Sequence, residues 1–308
     1  MIPNNFKPML AINQDKVSTQ PSTRYCSQKL DGVRVLFFGG VAYSRSLKPL
    51  PNKLLQKLAQ DNAEILESCD GEVIAGPRIT AEGVLQRTTS FCMSADSTDE
   101  FNVYLFDKYI PDTYWYKRFS ELLDIEKYLP DRVKVLQHFF VPEKYSVPPV
   151  SASLVNLEEF EKDVLESGGE GVMVRDAFGF YKCGRSGKRT PELQKYKRFD
   201  DMEFEVVGYQ QFESNQNEAE KNELGYTKRS TSKEGKVLVE QLGSLVCKLP
   251  DGRTFNVGSG FTLQQRKELW ETKDELCGRL AKVQYFGFSP DGVPLLPVFL
   301  DFRSEMDI

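Results

Sequence analysis

Hydrophobic and polar positions over residues 1–199 follow two alternating periods. Strand-like runs, with apolar residues contiguous or two apart, occur in VRVLFF, DGEVIA, NVYLFDKYI and EGVMVRD. Between them, apolar residues recur three or four apart in NKLLQKLAQDNAEIL, which follows Pro51, and in YWYKRFSELLDIEKYL. A Gly39-Gly40 turn joins VRVLFF to VAYSR as a hairpin. The alternation predicts an α+β domain with antiparallel sheets.

Other helices are predicted from their start signals. Asn156 is followed three residues later by Glu159, and Thr262 by Gln265, which are capping-box patterns ahead of LEEFEKDVLES and LQQRKELWETKDEL. A further helix is predicted near 80–92. GFYKC and LQKYKRF are expected as strands after EGVMVRD.

After about Phe199 the chain becomes rich in strands. DMEFEVVGYQQF, VLVEQLGSLVCKL, RTFNVG, LAKVQYFGF and PVFLDF have strand character, and one helix accompanies them. Five strands and one helix in about 110 residues suit a small closed β-barrel of the OB-fold kind. The polar segment 210–236 is too long for a tight turn, and a mobile surface loop is its plainest interpretation. The length predicts two domains, 1–199 and 200–308.

The composition is that of a globular protein. Of 308 residues, 40% are hydrophobic and 28% charged, and no apolar run approaches the roughly 20 residues that cross a bilayer. The start MIPNNFKPMLAINQ lacks the basic residues and apolar run of a secretion signal. We therefore expect an intracellular protein that is not secreted, either cytoplasmic or encoded by a virus or phage.

Cysteine and histidine usage argues against a zinc site. His138 is the only histidine, and the six cysteines form no C-x-x-C pair. We expect a packed imidazole at His138 and reduced, packed thiols at Cys26, Cys69, Cys92, Cys183, Cys247 and Cys277.

The charge distribution says more than the net charge. A net charge of −5 opposes phosphate binding, yet KCGRSGKRTPELQKYKR at 182–198 has seven cations against Glu192 alone. This basic stripe, in an otherwise acidic chain, would suit phosphates at a site. Charged runs are more often plain solvated surface, so the stripe needs companions.

Lys29, in the run KLDGVR, is the leading candidate for covalent chemistry. A lysine amine is a poor nucleophile while protonated, and desolvation or a nearby cation lowers lysine pKa values enough to free it. Gly32 would let the backbone approach a ligand closely, and Asp31 and Arg34 would face hydroxyls or phosphates. The pattern K-x-D-G alone is too short to establish that Lys29 is a nucleophile.

Four later runs follow Lys29 in order, namely DGE at 70–72, YLFDK at 104–108, EGVMVRD at 170–176 and LQKYKRF at 193–199. They supply carboxylates for Mg²⁺ and ribose, and an aromatic ring for a purine. Lys195 and Lys197 lie two apart on one strand face, so both would point at one phosphate. These are the parts that a nucleotidyl transfer requires.

The ordered set resembles the covalent nucleotidyl transferase superfamily of DNA ligases, RNA ligases and capping enzymes, over essentially the whole chain. SRSLKPLPN, YKCGRS, GYTKRSTSKEGK and GSGFTLQQRKELW look like the compact ATP-dependent DNA ligases of viruses, of the chlorella virus type. The resemblance implies an adenylation (nucleotidyltransferase) domain at 1–199 and an OB-fold domain at 200–308. It also implies an inserted hairpin at about 210–236 that clasps DNA.

The implied activity is ATP-dependent sealing of nicks in duplex DNA through a lysyl-AMP and a DNA 5′-adenylate, by a monomer encircling its DNA. Lys29 would accept AMP, with Lys195 and Lys197 on the phosphates and Asp31 assisting the final step. Arg34 and Glu72 would contact ribose and Phe106 would stack on adenine. Glu170, with Glu72, would hold Mg²⁺, or Mn²⁺ in its place. The implied DNA contacts are Lys7, Ser44, Arg45, Arg185, Lys228, Arg229, Lys233 and Lys236.

The last motif departs from the family pattern. The family usually has an arginine ahead of an apolar strand and then R-x-D, whereas PLLPVFLDFRSE has Leu295 and then Arg303-Ser304-Glu305. Arg303 would still orient pyrophosphate. Two alternatives stay open: an RNA ligase or capping guanylyltransferase of the same superfamily, and a non-catalytic module that binds nicks with inherited motifs.

Overall fold

The alternating strands and helices of the N-terminal part build one unit, Met1–Lys197, and the strand-rich remainder builds another, Arg198–Ile308. The structure is a computed structural model that describes residues 1–80, 83–143, 148–197, 199–289 and 291–303. None of the helices in those ranges has the length and apolar character that a membrane span requires.

The first unit contains twelve strands and four α-helices within its described residues. The strands are β1 (Met9–Leu10), β2 (Ile12–Asn13), β3 (Arg24–Gln28), β4 (Val33–Phe38), β5 (Val41–Tyr43), β6 (Cys69–Ala75), β7 (Phe101–Lys108), β8 (Val133–Val135), β9 (Phe139–Val141), β10 (Val172–Asp176), β11 (Gly184–Arg185) and β12 (Leu193–Tyr196). The helices are α1 (Lys53–Asp61), α2 (Val84–Met93), α3 (Trp115–Ile125) and α4 (Leu157–Glu166).

Two five-stranded sheets form the body of this unit. Sheet I has the order β2-β12-β10-β3-β9, and sheet II has the order β5-β4-β6-β7-β8. Most neighbours are antiparallel, as predicted, while β12 with β2 and β7 with β8 are parallel. β1 and β11 form a separate parallel pair. The largest core lies on sheet II and its helices, where Val35, Val73, Leu105, Trp115 and Phe119 are buried together.

Local signals explain several boundaries. Gly39 and Gly40 have φ of 56° and 73° in the two-residue turn between β4 and β5, as the hairpin prediction requires. The Asn156 side chain accepts hydrogen bonds from the N–H groups of Glu158 and Glu159 at the start of α4. Helix α1 begins two residues after Pro51, because Asn52 is its N-cap and accepts from the Leu55 N–H at 3.0 Å. It ends at Asp61, earlier than the periodicity predicts.

The second unit has seven strands and one α-helix among its described residues. They are β13 (Asp200–Asn215), β14 (Ala219–Lys221), β15 (Thr227–Arg229), β16 (Lys236–Lys248), β17 (Thr254–Val257), β18 (Leu280–Tyr285), β19 (Val298–Phe302) and α5 (Leu263–Glu271). Sheet III has the order β17-β16-β13-β18-β19. The predicted capping box of α5 is confirmed, with Thr262 and Gln265 exchanging side-chain and backbone bonds.

Full closure of this sheet was expected and is not found in the described residues. Beyond the end of edge strand β17, Ser259 makes a single parallel bridge to Val298 of edge strand β19, and the Phe299 N–H donates to the Ser259 carbonyl at 2.9 Å. Gly260, at φ 98°, packs so closely on the Phe299 backbone that a Cβ would overlap it. The chain then turns into α5 instead of extending the ladder, so the sheet is OB-like and only bridged at its edges.

The segment 210–236 is ordered as a hairpin and is not the plain loop that its composition suggests. β13 and β16 pair out to Asn215 and Lys236, and β14 pairs with β15 beyond them. The Asn217 side chain stabilises this segment by donating hydrogen bonds to the carbonyls of Ser230 and Ser232. We name this element, residues 210–236, the hairpin segment.

Three smaller expectations concern the run GFYKC, the cysteines and His138. GFYKC forms no strand; Phe180 makes one isolated bridge with Tyr114, and β11 is only two residues long. All six cysteines are free, but Cys183 and Cys277 are exposed and therefore not packed. His138 is packed as predicted, 4% exposed, with Nδ1 at 2.8 Å from the Leu136 carbonyl oxygen. Because burial dominates, the pKa of His138 is lowered to about 3.

Candidate active site

Strand register brings Lys29, Glu170 and Lys197 to one place. In sheet I, β3 and β12 both run antiparallel to the central strand β10, with Gln28 and Tyr196 each opposite Val172. Lys29 and Lys197 are the next residues along their strands, and Glu170 lies just before β10. The Lys29 N–H continues the ladder by donating to the Gly171 carbonyl at 2.8 Å. The carboxyl ends of β3 and β12 therefore deliver two lysines to one carboxylate.

The Glu170 carboxylate is the centre of this cluster. One oxygen pairs with the Lys29 amine, and the other lies 2.7 Å from the Lys197 amine. The Glu170 and Lys197 side chains are only 9% and 10% exposed. Burial alone would raise the pKa of Glu170, but the two ammonium groups outweigh it and lower that pKa. Glu170 is therefore ionised, binds the amines of Lys29 and Lys197, and is a weak base.

Asp31 and Lys195 share the same electrostatic environment. Burial and the nearby Glu170 charge raise the pKa of Asp31, against the opposing effect of Lys29 and Lys197. Burial and the surrounding cations lower the pKa of Lys195. Lys195 lies opposite Met173 on β10, so the two side chains project from the same face of sheet I. The structure thus brings four of the predicted charged residues around Glu170.

Glu72 reaches the cluster from sheet II. It is half-buried on β6, opposite Arg34 on β4. Burial raises the pKa of Glu72 to about 7, against the opposing effects of Arg34, Lys29 and the Gly32 N–H, which donates to the carboxylate. Glu72 therefore changes its charge near neutral pH.

Gly32 packs closely against the protein itself, whereas the ligand approach expected from the sequence stays a prediction. A Cβ there would overlap the Val73 carbonyl and lie 2.6 Å from Ile74 Cδ1 and 2.9 Å from Glu72 Cγ. The close approach is to β6 of the protein itself. Gly32 thus fixes the segment that carries Lys29 and Asp31 against sheet II.

Arg34 is held by the protein on three sides. Its Nε lies 2.8 Å from Asp70 Oδ1, its Nη2 pairs with Asp70 Oδ2, and its Nη1 donates to the Met9 carbonyl at 2.7 Å. Tyr181 donates to the same Asp70 carboxylate at 2.6 Å. Burial would lower the pKa of Arg34, but Asp70 raises it. The guanidinium is thus a fixed charge behind Glu72.

Phe106 lies on β7 with an apolar surrounding of Leu30, Ile74 and Leu136. The ring is half-buried, and the Arg34 guanidinium carbon lies 5.3 Å from its centroid. Phe106 therefore lies beside Leu30, the residue that follows Lys29, and beside Arg34. A half-buried ring next to apolar side chains is able to stack on a planar ligand.

The predicted DNA contacts of the first unit are more dispersed. Arg45 is exposed and Ser44 half-buried, just after β5, and the Ser44 hydroxyl lies 3.0 Å from Ser46 Oγ. Arg185 is exposed and donates to the Ala11 carbonyl at 2.9 Å. Lys7 is half-buried in the N-terminal segment. Of these residues, Arg185 has an electrostatic effect on the site. The pKa of Lys195 is lowered most by burial, then by Lys29 and Lys197, and then by Arg185.

The basic stripe at 182–198 divides into two parts. Lys195 and Lys197 are half-buried at the site, whereas Lys188 and Arg189 are exposed and Lys182 lies 3.7 Å from Glu192. Arg198 lies outside the described residues. Among its described residues, the stripe therefore combines half-buried lysines at the site with exposed cations outside it.

In the second unit, all four predicted cations of the hairpin segment are exposed: Lys228, Arg229, Lys233 and Lys236. Arg229 donates to the Asn217 carbonyl, and Lys236 lies 3.4 Å from Glu213. Arg303 lies 3.2 Å from Glu203. Leu295 is 38% exposed and its N–H donates to the Gly287 carbonyl.

No metal-type cluster of three or more His, Cys, Asp or Glu residues occurs in the described ranges. Mg²⁺ sites often need only one or two carboxylates, because substrate phosphates and water supply the remaining ligands. Glu170 and Glu72 are the two carboxylates that were predicted to supply such ligands, and both oxygens of Glu170 pair with lysine amines in this structure. The Asp70–Tyr181 pair was missed from the sequence, although DGE and YKCGRS contain both residues; their signal is burial, which sequence does not display.

Family models of known proteins match both parts of the chain. The family model for the ATP dependent DNA ligase domain matches residues 8–197, and that for the DNA ligase OB-like domain matches residues 234–303. A DNA ligase of African swine fever virus (isolate Pig/Kenya/KEN-50/1950) is 28% identical over 224 residues, covering 68% of this chain and 46% of the viral protein. The chain thus spans about half the length of the curated relatives it matches.

A solved structure shares the fold of this chain. A Lig E DNA ligase structure has a TM-score of 0.69 at 23% identity, covering 96% of this chain and 99% of the other. A chlorella virus DNA ligase–adenylate structure is 26% identical with a TM-score of 0.49, covering 98% and 99% of the two chains. Fold and site define a nucleotidyltransferase-type domain followed by an OB-like domain. Because its first domain model matches more than half of the sequence, the chain belongs to the ATP-dependent DNA ligase family.

Proposed function

We propose that this protein seals nicks in duplex DNA with ATP. The supporting observation is the Lys29 amine, held by Glu170 with Lys197 on the other carboxylate oxygen, inside a domain of the ATP-dependent DNA ligase family. The African swine fever virus and Lig E relatives carry the name DNA ligase. The proposed domain boundary is 199/200, with the hairpin segment inserted in the OB-like domain.

The reaction has three displacements at phosphorus. The Lys29 amine, after losing its proton, attacks the α-phosphorus of ATP and pyrophosphate leaves. The nick 5′-phosphate oxygen then attacks the lysyl-AMP and frees Lys29. Finally the nick 3′-hydroxyl attacks that 5′-phosphorus, loses its proton and expels AMP. Each step is in line, so positioning and charge neutralisation supply most of the rate.

The charged residues around Glu170 divide the work. Lys195 and Lys197 lie at the same strand ends as Lys29 and would bind the α-phosphate and later the transferred phosphate. Glu170 is a weak base because its pKa is lowered, so its role is to orient the Lys29 amine and not to take its proton. Asp31, whose pKa is raised by burial, is the better placed proton acceptor for the last step.

Nucleotide recognition involves sheet II. Phe106 would stack on adenine and Glu72 would accept hydrogen bonds from the ribose hydroxyls. Arg34, tied to Asp70, would act on ribose mainly as a fixed positive charge beside Glu72. Mg²⁺ held by Glu170 and Glu72 with the ATP phosphates, or Mn²⁺ in its place, would neutralise phosphate charge. Arg303 would orient pyrophosphate.

DNA would be bound through exposed cations in both units. In the first unit these are Lys7 and Arg45 with Ser44, and Arg185 for the nick 5′-phosphate. In the second they are the four cations of the hairpin segment, which would clasp the duplex so that a monomer encircles it. We also propose an intracellular location, because duplex DNA is the proposed substrate.

The test is transfer of label from radioactive ATP. Wild type incubated with α-labelled ATP and Mg²⁺ becomes covalently labelled, and addition of a nicked duplex moves the label to DNA and then to free AMP. Lys29→Ala and Lys29→Arg give no labelled protein, the second while keeping a positive charge beside Glu170. Lys53→Ala, at a 73% exposed lysine, is the matched control and labels like wild type.

Lys29→Ala still seals a nick that already bears 5′-AMP, because only the first two steps need the amine. Labelling by GTP in place of ATP would instead indicate a capping guanylyltransferase. Preferential joining of RNA ends would indicate an RNA ligase. Binding of nicked DNA with no covalent label in any nucleotide would indicate a non-catalytic module.

A further inference from the structure

A buried ion cluster lies directly behind Phe106. The next residue on β7, Asp107, accepts from Arg118 Nε at 2.8 Å and Nη2 at 3.1 Å, and from Arg175 Nη1 at 2.8 Å. The three side chains are between 1% and 4% exposed. Burial alone would raise the pKa of Asp107, but the two arginines lower it, so the carboxylate stays ionised.

The cluster joins three elements that otherwise have separate roles. Asp107 belongs to β7 of sheet II, Arg175 to β10 of sheet I and Arg118 to α3. β10 is the strand that follows Glu170, and β7 is the strand that carries Phe106. Burying three charges is costly, and a hydrophobic replacement of similar size often stabilises as well. Stability alone is therefore a weak explanation for placing them here.

Arg175 contacts the ring as well as the carboxylate. Its guanidinium carbon lies 5.4 Å from the Phe106 ring centroid and 5.9 Å from that of Trp115. Arg118 instead lies over Tyr181, at 5.6 Å, and donates to the carbonyls of Thr113 and Gly179. Of the two arginines on Asp107, only Arg175 is therefore in contact with Phe106.

We propose that Arg175, anchored by Asp107, is a positioning residue that sets the Phe106 ring relative to Lys29 and Glu170 and thereby governs nucleotide affinity. The Arg175 guanidinium is planar and is held by Asp107, and its backbone belongs to β10, so it couples the position of the strand that follows Glu170 to a ring on sheet II. This inference rests on the proposed function, because it assumes that Phe106 stacks on the base of ATP.

The test is a double-mutant cycle on the ATP concentration that half-saturates protein adenylylation, the KM. Arg175→Lys keeps a cation for Asp107 but removes the planar group from the ring, and Phe106→Leu keeps apolar volume without a planar face. We expect Arg175→Lys to raise KM about tenfold in the wild-type background and less than about twofold in the Phe106→Leu background. The maximal rate changes less than KM.

Arg118→Lys is the matched control, because it weakens the same carboxylate pair without a contact to Phe106. It should lower the thermal unfolding temperature at least as much as Arg175→Lys and leave KM for ATP within about twofold. KM does not depend on the folded fraction of a preparation, so partial unfolding of a variant does not obscure the result.

Two results would overturn the proposal. One is an equal rise in KM from Arg175→Lys in both backgrounds, which would mean that Arg175 acts independently of the ring. The other is an equal rise from Arg118→Lys, which would mean general loosening of the fold. Failure of the proposed function looks different, since wild type would then take no label from ATP at all.

Discussion

Acidification should destabilise the first unit through His138. The ring is buried between Trp115 and Phe119, with centroid distances of 5.0 and 4.6 Å, and the Leu136 carbonyl is its hydrogen-bond partner. Its pKa is lowered from 6.5 to about 3 by burial first and by Arg175 second. Because the unfolded chain takes up a proton near pH 6.5 and the native state does not until about pH 3, stability falls as pH falls through that window.

The magnitude follows from the two pKa values. Between pH 7 and pH 5 the unfolded state gains nearly one proton over about 1.5 pH units, which costs about 2 kcal/mol of unfolding free energy at about 1.36 kcal/mol per unit. His138 is the only histidine in the chain, so no other imidazole contributes. Carboxylates that titrate in the same range cancel when wild type is compared with a variant at each pH.

The assay is urea unfolding of wild type and His138→Phe at pH 7 and pH 5. Both carry Trp270→Phe, which leaves Trp115, beside His138, as the only tryptophan reporter. The variant has a pH-independent penalty for the unpaired Leu136 carbonyl, of about 1–3 kcal/mol. Its disadvantage should shrink, or reverse, by about 2 kcal/mol at pH 5. An unchanged difference at the two pH values would refute a buried, neutral imidazole.

Three further predictions concern the site and the hairpin segment. Gly32→Ala should lose about 2–3 kcal/mol of unfolding free energy in urea unfolding, because its Cβ would overlap β6. Gly208→Ala, where a Cβ would meet only ordinary contacts at 3.6 Å, is the matched control and should change that free energy by less than about 1 kcal/mol; equal losses from the two variants would contradict the packing role of Gly32. Ionisation of Glu72 should cost wild type at most about 3 kcal/mol of unfolding free energy as pH rises from 4.5 towards 7, because the native pKa lies above the unfolded value. Glu72→Gln should lack this contribution. Parallel stability–pH curves for the two proteins would count against the raised pKa. Neutralising the four exposed cations of the hairpin segment should reduce the slope of log Kd for nicked DNA against log salt by up to about 4, and an unchanged slope would place the phosphates elsewhere.

Sequence pattern predicted most elements because their signals are local. The Gly39-Gly40 turn, the Asn156 cap and the Thr262 capping box each depend on residues within a few positions, and all three are found. Element ends were less predictable. Helix α1 stops at Asp61 although apolar spacing continues to Ile65, because packing and not periodicity decides where a helix ends.

The candidate site was predictable in its membership but not in its contacts. The order of the five runs indicated Lys29, Glu170 and Lys197, and antiparallel pairing with β10 then accounts for their meeting. The binding partners of Arg34 were not predictable, since Asp70 and Met9 are 36 and 25 residues distant. The same holds for Asp107 and Arg175, which are 68 residues apart. The packing of Gly32 against the Val73 carbonyl was likewise not predictable, because Val73 is distant in sequence.

The central claim is that Lys29 becomes covalently attached to AMP. Mass spectrometry of the protein after incubation with ATP and Mg²⁺, followed by peptide mapping, tests it most directly. The account predicts a mass increase of one AMP on the peptide that contains Lys29, absent from Lys29→Arg and reversed by pyrophosphate. An unmodified Lys29 in wild type, or AMP attached to another residue, would contradict it.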